Sequence, residues 1–180
     1  MQRVWMLLVL CAVLAARPSS ATVLAPVDLD ELSRDARDIA RGRVVSVDTQ
    51  WTDDRRSVET LVTLEVESYL KGSFGETVTF RVAGGRLGRF RSLVVGAPEF
   101  SDGQHVIVFL SYRGPMIPYL VGFSQGVYRL AQSGSQWLVT PPPFVATRTT
   151  TRIVRGDATR RPVPLDAFER QVRNLAGGAR

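Results

Sequence analysis

His105 is the only histidine in the chain and Cys11 the only cysteine. Nucleophile–base catalysis needs a positioned base, most often an imidazole, within hydrogen-bond reach of the nucleophile. His105 follows Asp102-Gly103-Gln104 where a strand begins, which reads as a turn or strand-edge position rather than a catalytic base. Zinc sites need clustered Cys and His, and a lone residue of each kind makes no cluster. Asp48 with Asp53-Asp54 is a poor version of the spaced oxygen ligands that calcium takes. The expectation is no catalytic residue, no metal and no cofactor.

Gly84-Gly85-Arg86-Leu87-Gly88 has the glycine content of a phosphate loop, yet it lacks the Lys-Ser/Thr ending and leads into no helical pattern. Without a helix N-terminus behind its amides it reads as a connection between strands. Arg86, Arg89 and Arg91 nonetheless sit together on the longest irregular segment, residues 83–104. Long loops often carry binding function, so these arginines are the candidate partner-binding residues. Glu65 and Glu67 form a carboxylate pair of the kind hydrolases use, but two residues apart on one strand they share its outer face and read as solvated. Trp51, Tyr69, Tyr112, Tyr119 and Tyr128 could stack bases, as small barrels that bind single strands do. Packing is the ordinary role of such side chains, and export removes the usual nucleic acid, so no nucleic-acid partner is expected.

Export follows from residues 1–21. Arg3 supplies a positive start, Val4 to Ala16 is uncharged and apolar, and Ser19-Ser20-Ala21 gives a small-x-small cleavage pattern. The apolar run falls short of the roughly 20 residues that span a bilayer, so no transmembrane anchor is expected after cleavage near Ala21. Lipid attachment at Cys11 is the alternative, although Leu10 is bulky where a small residue normally precedes a lipidated cysteine. Cleavage leaves a cysteine-free chain in the periplasm or the exterior, without the disulfides on which small secreted domains often depend. At about 150 residues, packing alone suffices.

The composition is globular, with 44% hydrophobic and 22% charged residues and a formal net charge of +6. Every basic residue except Lys71 is arginine, and the excess lies beyond residue 144. Arg148, Arg152, Arg155, Arg160 and Arg161 are the candidate polyanion-binding set, since clustered guanidinium groups pair with phosphate or sulfate. A solvated arginine-rich surface is the plainer reading.

Periodicity predicts the elements that hold these residues. Asp28 as cap, Glu31 completing a capping box, and Val27 stapled to Leu32 start a helix over about 29–41, which Gly42 would stop. The period then changes to two. Strands are expected at Arg43–Trp51, Val58–Leu70, Thr77–Val82, His105–Tyr112, Met116–Phe123, Val127–Ala131 and Gln136–Val139. Val58–Leu70 is long enough to require a bend. The apolar run Val106–Leu110 reads as central and buried on both faces. Pro141-Pro142-Pro143 opens an extension, and Asp166 to Glu169 caps a short helix over about 166–176. The expected fold is mainly β: one small antiparallel barrel of about seven strands between two terminal helices. The signal occupies 1–21, the barrel domain 22–140, and the Pro/Arg-rich extension 141–180.

Ile39-Ala40-Arg41-Gly42-Arg43-Val44-Val45-Ser46-Val47, Val62-Thr63-Leu64-Glu65-Val66, Leu70-Lys71-Gly72 and Thr77-Val78-Thr79-Phe80 occur in that order. This run, over residues 36–82 with a looser echo at 103–110, resembles the netrin-like module of tissue inhibitors of metalloproteinases and its bacterial relatives. It also resembles a group of secreted bacterial proteins without assigned activity. The resemblance implies an OB-type barrel. The inhibitor family chelates the protease zinc through an N-terminal cysteine and carries several disulfides; the cleaved chain would begin Thr22-Val23-Leu24 without cysteine. The function expected is a secreted or periplasmic, non-enzymatic binding module for an unknown protein partner, reached through residues 83–104 and the helical N-terminal region. Inhibition of a secreted protease and anionic-glycan binding by the arginine-rich C-terminal segment are the alternatives.

Overall fold

The computed structural model describes residues 26–114, 116–142 and 161–178. The expected signal, Cys11 and most of the arginine-rich stretch lie outside them. Ten strands follow a first helix: β1 (Asp38–Trp51), β2 (Val58–Lys71), β3 (Thr77–Ala83), β4 (Gly85–Leu87), β5 (Phe90–Ser92), β6 (His105–Ser111), β7 (Tyr119–Leu120), β8 (Val127–Ser133), β9 (Gln136–Thr140) and β10 (Val163–Pro164). The helices are α1 (Leu29–Asp35) and α2 (Leu165–Gly177). The fold is mainly β, as expected, with eight strands in one sheet and β4–β5 as a separate hairpin.

The run of apolar residues in β6 sets the architecture. Val106, Val108 and Leu110 enter one core with Ala40, Val44, Val62, Leu64, Val78, Phe80 and Val82. Ile107 and Phe109 point the opposite way, into a second core with Leu32, Ala36, Ile39, Tyr128, Phe168 and Val172. Successive side chains of a strand face opposite sides, so a strand without polar residues must be covered twice. The first core lies between β6 and the β1–β2–β3 strands. The second lies between the opposite face of β6, β8 and β9 and the helices α1 and α2, where Phe109, Tyr128 and Phe168 meet as tilted rings at centroid distances of 5.6 and 4.7 Å. Burial pushes the Tyr128 phenol pKa up.

β1 reaches both neighbours: Asp38–Arg43 pair antiparallel with β6, while Ile39–Trp51 pair antiparallel with β2. β2 continues to β3, β3 meets β7 in parallel at Arg81–Tyr119, and β7 meets β6. The pairings β1–β2–β3–β7–β6–β1 therefore return on themselves.

Three expectations need correction. The first helix stops at Asp35 rather than near 41, because Ile39–Arg43 gain strand partners on both sides. Gly42 is consequently no helix stop but a mid-strand residue at a register shift. A Cβ there would collide with the Glu65 carbonyl oxygen, so glycine admits β2 at a bulge where three strands crowd. The C-terminal helix begins at Leu165 with no side-chain cap; Asp166 lies inside its first turn and accepts from Arg170 Nη1 at 2.9 Å instead. That guanidinium hydrogen bond holds the Asp166 pKa down. Similarly, Met116–Phe123 contributes only Tyr119–Leu120 as strand, since Gly122 is left-handed (φ 67°) and a 3₁₀ turn follows over Phe123–Gly126. The Asp28 half of the first cap forms: Asp28 Oδ1 accepts from the Glu31 amide at 2.7 Å.

Lys71 closes the other end of α1. Its Nζ donates to the carbonyls of Ser33, Arg34 and Ala36 at 2.8, 3.1 and 2.6 Å, where the helix leaves its last acceptors unpaired and its dipole favours a cation. Burial holds the Lys71 pKa down, against the pull of Asp35 and Asp38. Beside it, Asp38 is buried and its Oδ2 has no hydrogen bond. Burial raises the Asp38 pKa, opposed by the Ser73 amide and by the charges of Arg37 and Lys71.

Two outcomes follow. Gly42→Ala should lower the urea-unfolding free energy by about 2–3 kcal/mol without changing the slope. For Asp38, a raised pKa means that the folded state holds the proton more readily than the unfolded one. Its destabilisation is thus absent below the ordinary aspartate range and present above it. Asp38→Asn should therefore raise the melting temperature at pH 7, with the gain disappearing near pH 3; a gain independent of pH would contradict the assignment.

Candidate functional site

The strand ends Trp51, Val58 and Ala83 meet the residue 84–101 segment and the Tyr119–Phe123 turn at one end of the sheet. The segment expected to be a bare loop contains the β4–β5 hairpin, which pairs Arg86 with Arg91 and Leu87 with Phe90. Gly85 lies so close over Thr49 and Thr60 that a Cβ would clash with both side chains. The hairpin is pinned further by Ser57 Oγ to Ser92 Oγ, 3.0 Å apart, and by an edge-on contact of Trp51 with Phe90 at 4.9 Å. Thr60 Oγ1 donates to the Gly84 carbonyl at 2.9 Å.

Two cavities adjoin here, with Val82, Ala83, Gly84, Val94 and Pro98 common to both walls. One, about 460 Å³, reaches inward to Val47, Thr49, Thr60 and Phe100, and Arg86, Arg91 and Glu99 also line it. The other, about 570 Å³, lies beneath the Tyr119–Phe123 segment and is mostly apolar apart from Asp35, Glu59 and Arg81. Apolar side chains stay uncovered around both: Leu93 is 76% and Val95 72% exposed, with Val94, Phe90, Tyr119 and Phe123 also open to solvent. Single exposed apolar residues are unremarkable, whereas a cluster around cavities marks a contact surface.

The structure thus brings Arg86 and Arg91 to one cavity. Arg89 stands at the hairpin tip, its guanidinium 5.2 Å from the Phe90 ring centroid. Arg161 is exposed just before β10, while Arg148, Arg152, Arg155 and Arg160 lie outside the described residues. The five candidate stacking aromatics are dispersed: Tyr128 is core, Tyr112 lies under Arg37, Tyr69 donates to the Gly75 carbonyl, and Trp51 and Tyr119 flank the cavities. Asp54 serves its turn: the Thr52 hydroxyl and the Arg56 amide donate to its Oδ1 at 2.7 and 3.1 Å and hold its pKa down.

Glu59 is the residue that alternation misplaced. It falls on the outward register of β2 with Glu65 and Glu67, yet it is only 3% exposed. Its Oε1 accepts from Gln50 Nε2 at 3.0 Å, and its Oε2 lies 3.3 Å from Arg81 Nε. Arg81 comes from the diagonal position on β3, since Glu59 pairs with Ala83. The available signal was Leu61, an apolar neighbour on the same nominally polar face. Glu65 and Glu67 are also not equivalent: Glu65 pairs with Arg43 in solvent, while Glu67 takes both Arg41 and His105. His105 Nδ1 lies 2.9 Å from Glu67 Oε1 and its ring 4.8 Å from Trp137, which gives it a structural anchor at the head of β6.

Among the described residues, no group of three or more His, Cys, Asp or Glu is placed to hold a metal ion, and no helix is long and apolar enough to cross a membrane. Comparison with family models, curated proteins and solved structures finds no match to this chain.

The aromatic pin is testable. Trp51→Ala should accelerate amide hydrogen exchange across residues 85–92 while costing at most about 1 kcal/mol of global stability, the size of one exposed aromatic pair.

Proposed function

We propose that this protein is an exported, non-enzymatic binding module whose protein partner docks on the cavity-bearing end of the sheet. The observation that carries the reading is the juxtaposition of Arg86 and Arg91, directly opposed on a two-stranded ribbon, with exposed Leu93 and Val95 on the segment that follows. Like charges in opposed positions destabilise a ribbon, and two uncovered aliphatic side chains gain nothing from water. A partner surface with a carboxylate beside apolar side chains relieves both. Glu99, on the wall of the same cavity, is the one carboxylate there among the described residues and offsets only part of the charge.

In this reading β1, β2, β3, β7 and β6 form a five-stranded OB-like barrel of the netrin-like kind, with β4–β5 lying over its mouth. The closed ring of pairings and the parallel β3–β7 contact support it. The barrel carries the hairpin that presents the arginines, and α1 and α2 cover the second core.

The test places a photo-crosslinking residue at Leu93 or Val95 in the exported protein. A single partner should be captured at both positions and lost in Leu93→Asp/Val95→Asp, with the circular-dichroism spectrum unchanged. Arg86→Ala/Arg91→Ala should weaken the same complex at least tenfold and flatten its salt dependence. Absence of a common adduct at the two positions would refute the docking surface.

A further inference from the structure

We infer that the 570 Å³ cavity binds an uncharged apolar molecule through an amide group held between Glu59 and Arg81. Its volume is that of a small-ligand pocket. The apolar wall comes from Val58, Val82, Val94, Leu120, Val121 and Phe123. At one side stand the two charged groups, in a geometry that is close without being complete. Arg81 Nε is buried, lies 3.3 Å from Glu59 Oε2, and makes no hydrogen bond; no other side-chain bond of Arg81 exists among the described residues. Glu59, almost fully buried, has Gln50 as its one hydrogen-bond donor among the described residues. A carboxylate accepts at about four lone-pair sites and a guanidinium has five donors, so both groups have unused capacity toward the cavity.

The charge pattern selects the head group. A carboxylate ligand would meet Glu59, and Asp35 at the rim adds a second negative charge. An ammonium would meet Arg81. A carboxamide or peptide group carries a carbonyl for the guanidinium and an N–H for the carboxylate on adjacent atoms, with no net charge to desolvate. The inference does not depend on the protein partner proposed above, because the amide site and the Arg86–Arg91 hairpin lie on different cavities.

The experiment titrates purified protein with octanamide, octanoate and octylammonium, following the amide chemical shifts of Gly84, Tyr119 and Gly122. Octanamide should give saturable shifts at these residues and bind at least tenfold more tightly than either charged analogue. Glu59→Gln leaves the guanidinium uncompensated and should move the preference toward octanoate by tenfold or more. Val94→Trp, which fills the cavity from its half-exposed wall, should abolish the shifts while leaving the remaining spectrum in place. N-acetyl-leucine N-methylamide distinguishes the source: tighter binding than octanamide assigns the site to a polypeptide, weaker binding to a free amide. Equal affinity for the three octyl compounds, shifts elsewhere than the cavity, or no saturation with either amide would overturn the inference.

Discussion

Burial of Val106–Leu110 of β6 on both faces is the constraint on which the other elements depend. Its side chains alternate between two cores, so a slip of one residue in its pairing with β1 would exchange the two sets and expose neither polar group nor turn to compensate. Each face then needs its own cover. β1, β2 and β3 curl over one, and α1 and α2 cover the other, which β6 shares with its sheet neighbours β8 and β9. The C-terminal helix is therefore part of the packing, since Phe168 and Val172 bury against Tyr128 and its neighbours rather than trailing behind the sheet. The anchoring of His105 on Glu67 and Trp137 gains its meaning here too. It fixes where β6 begins, and Glu67 in turn binds Arg41, whose Nη1 lies 2.9 Å from Glu169 on α2. One surface network thus connects the strand head, the bent strand β1 and the last helix.

Alternation made most of the strands legible. β2, β3, β6, β8 and β9 lie within a residue or two of their expected bounds, β6 because its apolar run is bounded by polar residues and the others because their alternation is ended by turn residues. The errors share a cause. Residues 36–41 suit a helix locally, but the closed pairing of β1 with two partners outweighs that preference, since Ile39–Arg43 gain two ladders. Gly42 read as a terminator because glycine commonly ends helices; its actual role, admitting a third strand, depends on a contact with Glu65 distant in sequence. The C-terminal cap failed similarly: Pro164 joins the short β10 pairing with Leu138, which starts the helix one residue ahead of Asp166.

The site was legible in part. Glycine content and arginine spacing singled out residues 83–104, and the structure does bring Arg86 and Arg91 together. That they face each other across a hairpin was not readable, because three-residue strands carry too little pattern to register. Glu59 was invisible for a deeper reason. Alternation assigns faces, not burial, and a face becomes interior only when something covers it. Only the fold brings Arg81 diagonally across from Glu59 and lays the Tyr119–Phe123 segment along the same cavity.

That difference bears on how such a domain can bind anything. The β4–β5 hairpin depends on a few side-chain contacts, chiefly Trp51 with Phe90 and Ser57 with Ser92, and on close approach of glycine backbone to Thr49 and Thr60. Segments with few buried contacts open most readily. The strands beneath are held by two cores and cannot follow. This end of the sheet therefore joins a charged pair, Glu59 and Arg81, rooted in β2 and β3, to a hairpin held by fewer contacts over the neighbouring cavity. Val94, Gly84 and Pro98 wall both cavities, so any displacement of these residues changes the shape of each.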